Sequence, residues 1–407
     1  MLMNGAGLLR RAFKFRIYPS RSQISYFENC FSMCRHFYNW ALEERETAYK
    51  SNQTKLKYKD QQNGILLRVK EEKPWFTSVH SQALQNVLRR LDNAYLAFFR
   101  RCKKGEAPGF PKYKKYGQWS SLTFAQYNTT KPIEDSFYVP KLGMVKIRKH
   151  REFPEGTKIK TLEITKDGDK WFACFSCEID RSTPEPKQDF SSSVGIDLGV
   201  HDLAYPSEGE PIKAPRFLKA SMNNLKKLQR KFSATEKGSK KRKKLLKAIS
   251  KTHYRIRCLR KDFIHKVVNQ ILQQHDLIVI EDLNIRNMVR RPKAIVDGKG
   301  GFMQNGATAK AGLNNSILDS CWGMLKETLS YKAEALGKTL LLVNPAWTSQ
   351  KCSSCGEIVK KSLSTRTHKC HTCGYSDHRD KNAALNILAL GIQSLGNQTL
   401  EARTITL

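Results

Sequence analysis

The spacing of apolar and polar positions changes several times along the chain, and each change predicts an element. Phe13 to Tyr18 (FKFRIY) alternates apolar and basic residues and stops at Pro19, the pattern of a strand with one solvated face. From Gln23 to about Arg101 the period becomes helical, with Tyr26, Phe27, Cys30, Phe31, Cys34, Phe37, Tyr38 and Ala41 recurring at steps of three and four. A second helix follows PWF and carries Ala83, Leu84, Val87, Leu88, Leu91, Ala94, Tyr95 and Phe98 on one face. Alternation returns between Phe137 and Asp180, in FYVPKLGMVKIR, IKTLEITKD and KWFACFSCEID, the last after an Asp167-Gly168 turn signal. With Phe13–Tyr18 these strands are expected to close a small β-barrel into which the helices are inserted. Alternation puts Cys174 and Cys177 on opposite faces, which argues against a metal knuckle there.

RSTPEPKQDFSS, Arg181 to Ser192, reads as a linker and domain boundary. Beyond it, SVGIDLGVHDLAY alternates Val194, Ile196 and Leu198 with Gly195 and Asp197, so an acid lies on a strand opposite the apolar face. Gly199 then allows a tight turn. DLIVIEDLN is a short, fully apolar strand ending on Glu281, as central parallel strands read. Between the two lies a long helical pair marked by Leu245, Ile249, Thr252, Ile256, Leu259, Phe263, Val267 and Ile271. The turn before it holds Lys240, Lys241, Arg242, Lys243 and Lys244 in a row, capping a helix between two acid-bearing strands, where the run is expected to contact phosphate near the acids. Arg290 to Asn315 is rich in Gly, Lys and Ala and is expected to be a mobile loop. One helix (SILDSCWGMLKETLSYKAEALG) and the strand TLLLVN follow.

Lys351 to Gly391 then brings chemistry. Cys352-Ser-Ser-Cys355 and Cys370-His-Thr-Cys373 are paired C-x2-C knuckles, the spacing from which a tetrahedral zinc site takes four thiolates. Gly356 and Gly374 follow the knuckles, where such turns need positive φ. Two disulfides, or His368 and His371 as ligands, are the alternatives. Asp380 opens the amphipathic run AALNILAL, where it reads as a helix N-cap until partner acids are found. Asp197 and Glu281 are such partners. Hard carboxylate oxygens suit magnesium, and two ions about 3.5–4 Å apart suit phosphodiester hydrolysis.

Charge narrows the partner. The 407 residues include 72 Lys+Arg against 37 Asp+Glu, a formal net charge of +35, which favours phosphate backbones. The loop GEAPGFPKYKKYGQWSS interleaves Phe110, Tyr113, Tyr116 and Trp119 with Lys112, Lys114 and Lys115, stacking faces beside ammonium groups. No apolar run is long enough to span a membrane, and the first residues lack the apolar core and cleavage site of a signal peptide. The seven cysteines outside the knuckles show no framework spacing. A reducing, cytoplasmic setting is therefore expected, nucleoid-associated when on DNA.

VGIDLGV, then IVIEDLN, then knuckles directly before RDKNAALNI resemble the TnpB family of RNA-guided nucleases, similar to type V CRISPR effectors. FKFRIYPSRSQ, RHFYNWAL, SQALQNVLRRLDNAYLAFFRR, FPKYKK and KDFIHK resemble segments of that family in the same order. The resemblance implies a multidomain α/β chain with an RNase H-like (RuvC) nuclease domain at 193–344 and 377–393, and a zinc ribbon at 345–376. It implies a wedge-like β-barrel at 1–19 and 131–182, a helical recognition lobe at 20–130, a linker at 183–192 and a tail at 394–407. Asp197, Glu281 and Asp380 become the magnesium-binding catalytic triad. A transposon-derived guide RNA and a target DNA with a short flanking motif become the partners, with motif readers sought around Tyr58 and at Gln85. The family's DRD reads His378-Arg379-Asp380 here; the second acid is kept. The rivals are a non-cutting repressor, a guide-independent resolvase and a strand-transferase.

Overall fold

The computed structural model describes residues 9–127, 133–180, 184, 190–298, 300–362 and 364–404, without the side chains of residues 65–67, 69, 70 and 397–404. Most of the expected linker lies outside the described residues, as do 405–407 of the expected tail. The chain divides into two compact units, Met1–Ser182 and Thr183–Leu407.

In the first unit β1 (Leu9–Tyr18) leads into α1 (Arg21–Asn52), α2 (Tyr58–Glu72) and α3 (Ser81–Lys103). Ser20 and Gln23 close a capping box that starts α1. The expected two helices are thus three, and PWF lies in a separate 3-10 turn, Pro74–Ser78. Five strands follow: β2 (Ser121–Phe124), β3 (Ser136–Val139), β4 (Gly143–Arg148), β5 (Thr157–Asp167) and β6 (Lys170–Ile179). They join β1 in an antiparallel sheet of order β2-β5-β6-β1-β4-β3. Among the described residues no ladder joins β2 to β3, so the expected barrel is, by its hydrogen bonds, an open sheet. Phe15 and Phe175 from the sheet share one core with Phe27 and Phe37 of α1, and Phe31 stacks on Trp171 at 5.6 Å.

The second unit begins with β7 (Ser193–Asp197), β8 (Asp202–Pro206) and β9 (Ile212–Lys213), then α4 (Phe217–Ser233), α5 (Lys240–Gln274) and β10 (Leu277–Glu281). Next come α6 (Ile285–Met288), β11 (Ile295–Val296), β12 (Phe302–Met303), α7 (Ala307–Ser320), α8 (Trp322–Ala335) and β13 (Thr339–Val343). The last elements are β14 (Thr367–Lys369), β15 (Ser376–His378) and α9 (Arg379–Thr404). Three expectations change here. The Gly-rich stretch from Arg290 holds a β11–β12 hairpin and the start of α7. The single helix before β13 is two, broken at Cys321 with φ +60°. The tail from residue 394 continues α9.

The main sheet has the order β13-β10-β7-β8-β9, with β13, β10 and β7 parallel. Its central strands are apolar on both faces because both are covered. Val194, Ile196, Ile278 and Ile280 face α5 and α8, whereas Leu277 and Val279 face Ile387 of α9. Each such fully buried Ile or Val contributes about 1.5–3 kcal/mol by removing its surface from water. No described helix is long and apolar enough to cross a membrane.

Candidate active site and metal centre

Strand parity brings two acids together. In the parallel register Leu277 pairs with Ser193 and Ile280 with Ile196, so Glu281 and Asp197 come next, side by side at the carboxyl ends of β10 and β7. Both share the parity of Val279 and Gly195, the face that α9 covers. Ala383, Ala384 and Ile387 form the sheet-facing stripe of α9, and Asp380 stands one turn ahead of it on the same side. The approach of α9 is close. A Cβ at Gly195 would sit 2.2 Å from the Ala384 carbonyl, and one at Gly391 would sit 2.5 Å from Val279. Gly199 serves the turn after β7, where a Cβ would meet the Asp202 carbonyl at 2.6 Å.

The three acids feel one another. Asp197 is pushed up to about 8, first by burial, then by the charges of Glu281 and Asp380. Burial also raises Glu281, partly offset by a 2.6 Å hydrogen bond donated by the Thr348 hydroxyl. Asp380 lies 3.5 Å from the Arg366 guanidinium, and its amide donates to His378 Nδ1 at 3.3 Å. The His378 ring stacks on Tyr205 at 4.8 Å with an 8° tilt. Neighbouring acids are satisfied elsewhere. Burial would raise Asp377, but the His378 N–H and the Tyr375 hydroxyl outweigh it and hold the carboxyl low. Asp202 pairs with His201 at 2.9 Å. Asp197 is left buried beside the charges of Glu281 and Asp380, and the three acids make an all-oxygen donor set whose chemistry fits a hard divalent cation.

The four cysteines converge as their spacing predicts. Their sulfurs all lie within 4.8 Å of one another, with Cys352 to Cys373 at 3.7 Å and Cys355 to Cys370 at 3.6 Å. A disulfide would need about 2.05 Å, whereas a tetrahedron with Zn–S bonds of about 2.3 Å needs sulfurs about 3.8 Å apart. The quartet fits zinc. Gly356 and Gly374 take φ of +82° and +73° and donate to the carbonyls of Cys352 and Cys370. His368 is buried beside Lys361, His371 is exposed, and neither belongs to the quartet. The ribbon extends past its expected end, because β15 reaches His378.

Two buried asparagines tie this ribbon to the acids. Asn382 and Asn386 of α9 both donate to the Lys351 carbonyl, at 2.8 and 2.7 Å, and Asn386 also reaches the Thr348 carbonyl at 2.9 Å. Asn382 accepts the Ser353 amide at 2.9 Å. Thr348, Asn382 and Asn386 were not anticipated from the sequence. An Asn at i and i+4 on an otherwise apolar helix face was the signal available.

The basic candidates are scattered. Lys240 to Lys244 form the first turn of α5 rather than the turn before it, with Ser239 as N-cap. Arg242 is turned inward, donating to the carbonyls of Phe232 and Thr235 at 2.7 Å and lying over the Phe232 ring. Lys240, Lys241, Lys243 and Lys244 are exposed. They precede Ile264, the first residue of α5 in the sheet core, by some twenty helical residues, or about 30 Å, so they are not beside the acids. In the first unit, Asn39 grips the Lys114 backbone from both sides, at 2.8 and 3.1 Å. That leaves Lys112 and Lys115 exposed and Lys114 over the Tyr38 ring. Tyr116 is 90% exposed, while Trp119 packs on Tyr38. Tyr58 stacks with Arg89 and joins the core edge, and Gln85 is half-buried on α3.

Comparison with known proteins adds relatives along most of the chain. Residues 174–291 match the family OrfB_IS605, described as "Probable transposase". Residues 322–387 match "Cas12f1-like, TNB domain". Residues 3–54 match a "Helix-turn-helix domain", although their described part is β1 and the single helix α1. A protein of Escherichia coli (strain K12), "Putative RNA-guided DNA endonuclease InsQ", is 32% identical over 383 residues, covering 94% of this chain and 92% of its own. "Putative RNA-guided DNA endonuclease" of Streptomyces pristinaespiralis is 32% identical over 402 residues, covering 94% and 90%. A structure titled "Cryo-EM structure of the Cas12f1-sgRNA-target DNA complex" matches with a TM-score of 0.53 at 14% identity, over 93% of this chain and 98% of that one, a likeness of fold.

Proposed function

The chain belongs to the TnpB family of transposon-encoded, RNA-guided nucleases, and from that premise we propose that it cuts DNA phosphodiester bonds beside a short flanking motif, using Asp197, Glu281 and Asp380 with two magnesium ions. The observation that carries this reading is the raised Asp197. Three carboxylates share a partly buried corner, where burial first, and then the charges of Glu281 and Asp380, push Asp197 up to about 8. Magnesium, when bound, supplies the charge that makes water nucleophilic at neutral pH and stabilises the departing oxygen. The chain's own contribution is orientation. Thr348 aims Glu281 through its hydroxyl, the first turn of α9 presents Asp380, and β7 presents Asp197. Zinc belongs to the cysteine quartet as a structural ion.

The finer roles follow from the same premise. The sheet of the first unit acts as the wedge and α1 to α3 as the recognition lobe, with Tyr58 and Gln85 as readers of the flanking motif. Lys112, Lys114, Lys115 and the exposed lysines of the 240–244 cluster hold nucleic-acid backbone, a contact that carries no sequence information. Guide RNA pairing reads the target, in the cytoplasm and on the nucleoid.

The test is cleavage by protein purified with RNA transcribed from the flank of its own gene, on DNA libraries with randomised flanking motifs. Cutting is expected only for matched targets beside one motif, with magnesium. Asp197→Ala, Glu281→Ala and Asp380→Ala should each lower the rate on the order of 1,000-fold or more while binding is kept. Equal cutting of matched and mismatched DNA would sink the guided reading, and wild-type cutting by Asp380→Ala would leave Asp380 as an acid of the first turn of α9 with no catalytic role. It is not the helix N-cap expected from the sequence, since α9 starts at Arg379.

A further inference from the structure

Trp347 lies in the strap between β13 and the first knuckle, and three of its properties are hard to reconcile with packing. Its φ is +69°, the left-handed region that a bulky side chain reaches only at a cost. Its side chain is 60% exposed, so burial does not offset that cost. It directly precedes Thr348, whose hydroxyl holds Glu281. A glycine would adopt this backbone freely. Strain retained on an exposed indole beside reactive carboxylates is the kind that persists at ligand-contacting sites.

The surroundings hold the Trp347 backbone in place. The Trp347 carbonyl accepts the amides of Gln350 and Lys351, both at 2.9 Å. Asn386 fixes the Thr348 and Lys351 carbonyls, and Asn382 fixes Lys351 again. Asp380 lies in the first turn of the helix that supplies both asparagines. Trp347 is therefore locked to the two elements that present Glu281 and Asp380, and it is presented rather than tucked away. Lys351, four residues on in the same strap, is exposed and adds a cation there, which suits a polyanion.

We propose that Trp347 is a stacking platform for an unpaired base of the DNA strand entering the acid site, next to the phosphodiester to be cut. This rests on reading that site as a DNA nuclease. A base within a duplex has both faces covered by its neighbours, so an exposed indole on a held backbone favours a strand already separated. The contact holds the strand in register with Asp197, Glu281 and Asp380, and Trp347 acts as a positioning residue rather than a catalytic one.

The experiment compares full-length wild type, Trp347→Phe and Trp347→Gly, each loaded with guide RNA, on matched linear duplex DNA. Three quantities are read: single-turnover cutting, guide-directed DNA binding and the thermal midpoint. Trp347→Gly should cut roughly 10-fold or more slowly, the loss of one stacked base. Its binding should be unchanged, because guide pairing supplies that, and its midpoint should be equal or higher, because the strain is gone. Trp347→Phe should cut within about threefold of wild type, since a ring face is kept. Cutting by Trp347→Gly within twofold of wild type would overturn the proposal, as would a Phe variant as slow as the Gly variant, or a midpoint that falls in both. If wild type with its guide fails to cut matched DNA, the nuclease reading itself fails and takes the proposal with it.

Discussion

The cysteine quartet takes its ligands from two short turns, Cys352 to Gly356 and Cys370 to Gly374, whereas the carboxylates come from two strands and a helix that meet only when the sheet is built. Each cysteine turn closes with its own glycine and backbone hydrogen bonds, so the cage is a local object. The acid corner is a product of register and parity across β7, β10 and α9. One site returns folding free energy when its ion binds. The other, on the proposed reading, keeps a buried carboxyl beside two more acids, whose charges a bound cation would stabilise. The difference teaches that a ligand set made locally serves as a staple, while one made globally costs stability and is kept for chemistry.

Breaking the staple should have the largest effect. Cys370→Ser, or zinc removal by a chelator, should lower the thermal midpoint by roughly 10 °C and abolish cutting, because structural zinc supplies folding free energy outright. The alanine variants of the acids should instead keep their zinc and their midpoint. Calorimetry with metal analysis checks this, and a chelated protein with an unchanged midpoint would refute it.

The bridge between the two sites should respond less. Asn386→Ala strips hydrogen bonds from two carbonyls, at Thr348 and Lys351. A stability loss of about 1–3 kcal/mol is expected, with cutting about 10–100-fold slower as Glu281 loses its support. Zinc should remain bound. If single-turnover cutting is unaffected, the ribbon and the acids are independent.

The smallest effect is on pH dependence. Folded Asp197 titrates near 8 against an ordinary value of 3.8, so the folded state holds its proton more tightly across that window. The stability this proton contributes is present below the ordinary value and is lost as pH rises through about 8. Asp197→Asn cannot ionise. In magnesium-free buffer its midpoint should exceed wild type at pH 8.5 and converge with it near pH 4. Magnesium at pH 8 should narrow the gap by stabilising wild type. Parallel pH profiles would mean that Asp197 is not held in a repulsive corner.

How far the sequence could be read follows from the same contrast. The knuckles were legible because their geometry needs only neighbours. The strands bearing Asp197 and Glu281 were legible from apolar runs ending on an acid. What could not be read depended on partners distant in sequence. Gly195 and Gly391 carry no periodic signal for the helix that presses on them. The break at Cys321 falls on a cysteine, and the nearest glycine, Gly323, lies two residues inside the next helix. Lys240 to Lys244 read as a turn because five cations suit a helix start poorly, yet Ser239 caps them into α5. The barrel was inferred from strand count, whereas closure depends on whether β2 meets β3.

The placement of Asp380 on α9 has a consequence for the order in which the protein is made. Synthesis runs from the amino end, and domains fold as they emerge. A nascent chain that has reached β13 already has its parallel sheet, with Asp197 and Glu281 side by side, but has only two of three acids. It also lacks the helix that covers that face. On the proposed reading, a stop before α9 therefore leaves out the third acid, so the corner is complete only once β7, β10 and α9 have all been made.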